Sequence, residues 1–433
     1  MKFRDLTNSD IKSIEDVPLG WTVRRVKDLV VDMQRGVQPQ YAEGTGFYIA
    51  NQACLATYSF RPEKRKQCYP LSGKKGRYKV NDILLASTGE GVLGRCVLAD
   101  HDGFADSHVS IIRLKHTCTA HFLNYLLSVR YEEINARYAK GSTKQTELQR
   151  DGFLAHVLAL PPLEVQKRIV TWLDQQTHRI DKRLRLIDRK RQLLEALKKS
   201  VIEESTFGRI AQDTVTRGPD ISWPDAKAAH WEITRLGSLF REVADAGVEG
   251  LPMLSVSIHS GISDKELGDD ELERKVNRSE DRTVYKKVKP GDLVYNQMRA
   301  WQGAFGAAKI EGLVSPAYVV ARPKRGVIPE FIEYLLRAPA AMEEIRRRSR
   351  GITDFRLRLY WNEFKNIRVA LPTRSEQENI VTFLDRELSK IDEQVACIDK
   401  LEALLEEQRK TIIHEAVTGK IDLSQYAVPA LAA

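Results

Sequence analysis

The segment Gly89-Glu-Gly-Val-Leu-Gly94 has the G-x-G-x-x-G spacing of a dinucleotide site. That spacing grips a pyrophosphate only where it opens a helix, whose first N–H groups lack intrahelical partners. Here Arg95-Cys-Val-Leu-Ala-Asp100 follows and reads as a strand, so a glycine-rich hairpin is expected instead. An enzyme site around residues 89–94 would reveal itself as nucleotide binding by the isolated chain. The sequence holds no G-x-x-x-x-G-K-[ST], no H-E-x-x-H and no G-x-S-x-G, and its 9 histidines share no helix face at metal-ligand spacing. The 5 cysteines (Cys54, Cys68, Cys96, Cys118 and Cys397) have no C-x-x-C pairing, which argues against a zinc ribbon or a disulfide framework. A non-catalytic chain, binding neither metal nor cofactor itself, is expected.

Cations interleaved with amides and hydroxyls are the other chemistry on offer. Gly141 and Gly351 open polar, basic loops: Lys140, Ser142, Thr143, Lys144 and Gln145 cluster at the first, and Arg346, Arg347, Arg350, Arg356 and Arg358 at the second. Gln34, Arg35 and Gln38, then Asn296, Gln297, Arg299 and Gln302, place amides beside guanidinium groups. Lys74, Lys75 and Arg77 precede one expected strand and Lys286 and Lys287 another, and Ser87 and Thr88 add hydroxyls. Lys and Arg neutralise phosphates, while Gln and Arg can read adenine and guanine edges in a major groove. A formal charge of +9 permits a polyanionic partner. These residues are the candidate DNA contacts, and the glycine-rich segment could itself be a DNA-facing loop.

The elements that must position them are duplicated. Residues 160–210 align without a gap to residues 371–421 at an offset of 211, with 20 identities in 51 positions, among them Gln166/Gln377, Asp174/Asp385, Asp181/Asp392 and Gly208/Gly419. The flanks repeat more weakly: Trp21-Thr-Val-Arg-Arg-Val matches Trp231-Glu-Ile-Thr-Arg-Leu, Asn81-Asp-Ile-Leu-Leu matches Gly291-Asp-Leu-Val-Tyr, and His121-Phe-Leu-Asn-Tyr-Leu-Leu matches Glu330-Phe-Ile-Glu-Tyr-Leu-Leu. Within the strong repeat, steps of three and four link Leu173, Ile180, Leu184, Ile187, Leu194 and Val201, and in the second copy Leu384, Leu388, Ile391, Val395, Ile398, Leu405 and Ile412. This is a coiled-coil seam, interrupted by Arg191, Lys198, Glu402 and Arg409. Pro161 and Pro162 should open the first helix, a capping box of Ser375 and Glu378 the second, and Gly208 and Gly419 should end them. Residues 160–210 carry 12 Lys/Arg against 7 Asp/Glu, and residues 371–421 carry 7 against 11. Opposite signs favour pairing of the two helices with each other over self-pairing.

An α/β (α+β) chain is therefore expected: two similar domains of short strands and helices, separated by two long helices in an antiparallel coiled coil, with a pseudo-twofold internal repeat. The divisions are 1–159, a first recognition domain; 160–210, a spacer helix; 211–370, a linker and second recognition domain; and 371–433, the second spacer helix with a tail. Expected strands are Asp82-Ile-Leu-Leu-Ala, Val109-Ser-Ile-Ile-Arg-Leu and Gly291-Asp-Leu-Val-Tyr; expected helices run from Phe122 to Arg137 and from Pro329 to Arg348. Residues 209–229 read as a connector. The first ten residues lack a signal-peptide core, and no apolar run approaches the roughly 20 residues of a membrane span, so an intracellular, cytoplasmic protein is expected.

Over essentially its whole length the chain resembles the specificity subunit of type I restriction–modification systems. The likeness is carried by Leu160-Pro-Pro-Leu-Glu-Val-Gln166 with Ile169 and Leu173, by Leu371-Pro-Thr-Arg-Ser-Glu-Gln377 with Ile380 and Leu384, and by Thr418-Gly-Lys-Ile-Asp422. The resemblance implies two target-recognition domains that each bind half of a split site in double-stranded DNA. It implies spacer helices that dock two modification subunits resembling N6-adenine methyltransferases, which use S-adenosylmethionine, and a motor-nuclease subunit that can join. Ile169, Trp172, Leu173, Ile380, Phe383 and Leu384 are candidates for partner contact or for packing within the repeat. Pro162 and Glu164 become Thr373 and Ser375, so the two partner contacts are expected to be unequal. A paired stretch of about 30 residues spans roughly 45 Å, which suits half-sites about one DNA turn apart. A methylation-only system and a coiled-coil adaptor are the competing readings.

Overall fold

The computed structural model describes residues 17–56, 58–89, 91–141, 146–208, 227–258, 261–264, 281–324, 326–351 and 357–426, and the backbone of 215–216. The chain divides into two compact units, one made of Met1–Leu186 with Lys400–Ala433, the other of Ile187–Asp399. The division falls inside two helices of 44 residues, Leu163–Thr206 and Arg374–Val417, so each unit holds one mixed domain and part of both helices.

The two domains repeat one topology. In the first unit a four-stranded antiparallel sheet runs in the order Val30–Arg35, Val109–Leu114, Ile83–Ala86, Cys96–Leu98. In the second the order is Phe240–Val243, Tyr318–Pro323, Leu293–Asn296, Phe305–Ala307. Each unit adds a two-stranded ladder leading to its long helix, Thr22–Arg25 with Val157–Leu160 and Glu232–Arg235 with Arg368–Leu371. The matched Asp-apolar-apolar segments have a shared cause. Asp82 takes both Nε and Nη2 of Arg113, at 3.0 and 2.6 Å, and Asp292 takes those of Arg322, both at 2.9 Å. Each carboxylate is nearly fully buried, so each depends on its bidentate partner and on a backbone N–H, from Lys79 or Lys289.

The helix expected from Phe122 to Arg137 is two helices, Ala120–Val129 and Tyr131–Tyr138, and that from Pro329 to Arg348 is also two, Pro329–Arg337 and Pro339–Arg348. Proline explains the second break, because it disfavours a helical Ala338 and offers no N–H. At the first, Arg130 leaves helical geometry, with φ −97° and ψ 11°.

Repeat-identical residues fasten each domain to a long helix. Gln166 is buried: its side-chain oxygen accepts the Thr119 N–H at 3.0 Å and its amide donates to the Pro161 carbonyl at 2.9 Å. Gln377 likewise accepts the Ile328 N–H at 2.8 Å and donates to the Gly326 and Pro372 carbonyls at 3.1 and 3.0 Å. One helix turn or two further on, the Tyr125 and Tyr334 hydroxyls donate to Asp174 and Asp385.

Inside each unit the two long helices run antiparallel. In the first, Ile169 and Leu173 share a core with Ile413, Ala416 and Val417, and Arg409 pairs with Asp181. In the second, Arg191 reaches Asp399 at 2.9 Å, Lys198 reaches Asp392 at 2.8 Å, and Ile202 shares a core with Ile380 and Val381. Three of the seam interruptions are thus ion pairs across the seam. The seam leucines and isoleucines are buried or half-buried, except that Ile413, beside the expected Ile412, is the residue fully buried near the end.

The second helix starts one residue before the expected cap. Thr373, not Ser375, caps it: its hydroxyl accepts the Glu376 N–H at 3.4 Å while Glu376 accepts the Thr373 N–H at 2.9 Å. Glu378 instead pairs with Arg374, one turn earlier. Gly208 and Gly419 end the helices at φ +71° and +76°, and a Cβ on either would lie 3.0 Å from Trp231 or Trp21 respectively. The Gly89–Gly94 segment joins the antiparallel strands Ile83–Ala86 and Cys96–Leu98, and no helix follows it. Among the described residues no helix is long and apolar enough to cross a membrane, and no group of three or more His, Cys, Asp or Glu could hold a metal ion.

Candidate nucleic-acid interface

In the first unit, the end of strand Val30–Arg35 carries the expected contacts outward. Arg35 donates to the Ser107 carbonyl at 2.8 Å and pairs with Glu147 at 3.2 Å, and Gln38 accepts the Ser107 hydroxyl at 2.7 Å. Glu147 belongs to the hairpin strand Glu147–Leu148, paired with Ala139–Lys140, so Lys140 comes to the same edge. Gln34 is half-buried beside it. The loop bearing Lys74, Lys75 and Arg77, all exposed, packs against Val37 at Gly76, where a Cβ would sit 2.9 Å from a Val37 methyl. Arg77 lies 4.0 Å from Asp102. Ser142, Thr143, Lys144 and Gln145 lie outside the described residues.

Ser87 and Thr88 are corrections. Both are buried, Ser87 hydrogen-bonding Ser110 at 2.8 Å and Thr88 lying 2.6 Å from His108 Nδ1, so neither hydroxyl faces a ligand. They belong to a network beneath the edge: Asp106 accepts the His108 N–H at 2.9 Å and the Tyr41 hydroxyl at 3.1 Å. Burial pushes the Asp106 carboxyl above its ordinary value, against the pull of His108. Burial, with Asp106 adding to it, pushes Tyr41 up to about 12.

In the second unit Gln297, Arg299 and Gln302 follow strand Leu293–Asn296 directly, Gln302 being exposed. The Gln297 carbonyl accepts the Leu359 N–H at 2.9 Å, next to a bridge in which Arg350 and Arg358 exchange backbone hydrogen bonds. Arg346 lies 5.8 Å over the Trp301 ring. These residues therefore converge at the place corresponding to the first unit's hairpin. Asn296 does not join them, being buried with its side chain accepting the Met298 N–H. Lys286 and Lys287 are committed elsewhere, to the Tyr318 carbonyl at 2.7 Å and to Glu311 at 2.9 Å. Arg347 pairs with Glu344 and Arg350 with Glu363. Arg356 lies outside the described residues.

Of the candidate partner contacts, Ile169, Leu173 and Leu384 are buried in the chain's own core and are not exposed, whereas Trp172, Ile380 and Phe383 are half-buried. Other apolar side chains on the long helices face outward: Leu186, Leu193 and Leu197 on the first, Leu401 and Leu404 on the second. Leu193 and Leu404, at 54% and 61% exposure, are the same position of the repeat. Each stands directly before a buried seam leucine, Leu194 or Leu405, so an apolar pattern alone does not tell the outward leucine from the inward one.

The chain has the fold of a chain solved in work on complex assembly and conformational transition of the type I R-M system, with a TM-score of 0.66 at 16% identity, covering 94% of this chain and 100% of that one. The HsdS subunit from Thermoanaerobacter tengcongensis (TM-score 0.49, 18% identity, 94% and 99% covered) and the type I restriction–modification S subunit from M. genitalium (TM-score 0.37, 14% identity, 94% and 97% covered) are also similar. Residues 18–195 match the family model of the type I restriction modification DNA specificity domain. No curated protein matches the chain.

Proposed function

We propose that the chain is the DNA-specificity subunit of a type I restriction–modification complex that reads an asymmetric, bipartite site, one half with each recognition domain. What carries this reading is one strand order used twice with different side chains at the corresponding edge: Arg35, Gln38 and Lys140 in the first domain, Gln297, Gln302 and Arg358 in the second. A shared scaffold with unlike polar faces suits two unlike half-sites.

The chain's role in this scheme is placement. Two N6-adenine methyltransferase subunits, which bring S-adenosylmethionine, dock on the long helices and take the target bases out of the stack; a motor-nuclease subunit joins through them. The exposed Leu193 and Leu404, kept in both copies, support docking of one partner at each. A methylation-only system uses the chain identically.

The test is sequencing with modified-base detection on DNA from cells expressing this chain with its neighbouring methyltransferase gene. An interrupted motif methylated on both strands is expected. A continuous short motif would mean that one domain alone reads bases, and no motif from an assembled complex would leave an adaptor protein.

A further inference from the structure

The first unit holds an open cleft of about 900 Å3 that the expected DNA contacts do not line. Its floor is a short ladder, Tyr48–Ile49 against Lys66–Gln67, with Tyr41 bridged to Cys68 beside it. The register brings two tyrosine rings and two cations together: the Arg65 guanidinium lies 5.4 Å over Tyr48 and the Lys66 ammonium 5.1 Å over Tyr41.

The rings are exposed yet fixed. Tyr41 and Tyr48 are 43% and 45% exposed. The Tyr41 hydroxyl is held by buried Asp106, and the Tyr48 hydroxyl accepts from the Gln67 amide at 3.0 Å, whose oxygen in turn accepts the Thr45 N–H at 3.2 Å. Cations elsewhere in the two domains, such as Arg113, Arg322, Lys287 and Arg350, sit against carboxylates. Among the described residues, Arg65 and Lys66 sit over aromatic rings and have no carboxylate at ion-pair distance. Their charge is therefore available to an anion, while the ring and side-chain stems offer an apolar surface. The segment Arg61-Pro-Glu-Lys-Arg-Lys66 adds two further cations against one glutamate. The cleft is also continuous with the recognition edge, since the Tyr69 N–H donates to the Gln40 carbonyl at 3.0 Å, two residues beyond Gln38.

A rigid plate with outward positive charge and exposed rings fits an alternation of phosphate and deoxyribose. We propose that the Tyr41–Tyr48 cleft, with Arg65 and Lys66, grips the phosphodiester backbone of duplex DNA beside the half-site read by the first domain, independently of sequence. The proposal rests on the DNA-specificity reading above.

The test uses the full chain assembled with its methyltransferase partner and labelled duplexes that either carry the methylated motif or a scrambled sequence, titrated across a KCl series. Arg65→Gln and Lys66→Gln change side chains outside the core, and thermal melting checks that the variants stay folded. Each substitution is expected to weaken both duplexes by about 3- to 10-fold and to reduce the salt slope by roughly one unit. Trimming the flanking base pairs on one side of the motif should cost the wild type as much, and on the trimmed duplex wild type and variant should bind alike. Equal binding of wild type and variants to the long duplexes would overturn the proposal. Weakening confined to the motif duplex would overturn it too, because that is base reading. A wild-type complex that binds neither duplex is a different result and removes the DNA reading itself.

Discussion

Lys198 meets Asp392 at 2.8 Å, and the same pair occurs a second time as Arg409 with Asp181. The repeat offset carries Asp181 onto Asp392 and Lys198 onto Arg409, so one acid–base contact fixes the register of the helix pair in both units. The contact between Arg191 and Asp399 has no such twin, because the counterparts of those residues are Glu402 and Asp188. Net charge on the helices thus says less about pairing than three polar residues placed in an apolar seam.

The seam pairs are open to solvent on the acid side, Asp392 being 61% exposed, so each contributes about 0.3–1 kcal/mol. Lys198→Glu places two acids together and should lower the midpoint of denaturation by a few degrees. Adding Asp392→Lys should restore most of that loss. A double mutant no better than the sum of its singles would show that the pair does not set register.

The buried glutamines should cost more. Gln377→Ala leaves the Ile328 N–H and the Gly326 and Pro372 carbonyls without their partner, and Gln166→Ala leaves the Thr119 N–H and the Pro161 carbonyl. Unmet buried groups cost about 1–3 kcal/mol, with Gln377→Ala the more severe. Urea denaturation compares the two, and limited proteolysis should show faster cleavage near residues 326–328 in the Gln377 variant.

How far such residues could be read from sequence depends on how local their partners are. The strands at Asp82 and Asp292 were legible because an acid followed by an apolar run marks a strand entry, and the glycine ends because a left-handed residue follows the last helical turn. Ser87 and Thr88 were misread because what occupies their hydroxyls, Ser110 and His108, lies 23 and 20 residues away. The grouping of Tyr41, Tyr48, Arg65 and Lys66 is not legible in the sequence, because a two-residue ladder and a single bridge at Tyr41 bring these segments together, too short to leave a periodic pattern. The Thr373 cap was displaced because Ser375 with Glu378 has the same spacing as Thr373 with Glu376, and only the helix start distinguishes them.

His156 gives the fold a pH dependence. Its ring is buried, Nδ1 lies 2.9 Å from the Tyr138 hydroxyl, and Nε2 has no hydrogen-bond partner among the described residues. Burial pushes the imidazole down to about 4; Glu133 opposes this, and Arg130 and Arg137 reinforce it. The unfolded chain takes up the proton near the ordinary 6.5 and the folded chain only near 4. Stability from this group is therefore complete above pH 6.5 and is lost as pH falls towards 4, by about 2–3 kcal/mol. His156→Gln should flatten the stability profile in that window, and an unchanged slope would place the titration elsewhere.

The two recognition faces should be separable by substitution. Gln302 is exposed beside Gln297 and Arg299, so Gln302→Ala should relax or change the half-site read by the second domain and leave the other half unaltered. If Gln302 makes a bidentate base contact, its loss costs about 1–3 kcal/mol at that base pair, a discrimination of roughly 5- to 150-fold. Gln38→Ala should do the same to the opposite half-site. Ser87→Ala acts on neither: its hydroxyl bonds Ser110 inside the sheet, so it should lower stability and keep the motif intact. Modified-base sequencing of cells carrying each variant reads all three at once. If Gln302→Ala altered both half-sites together, the domains would not be reading independently, and a change of motif from Ser87→Ala would put the recognition surface on the other side of the sheet.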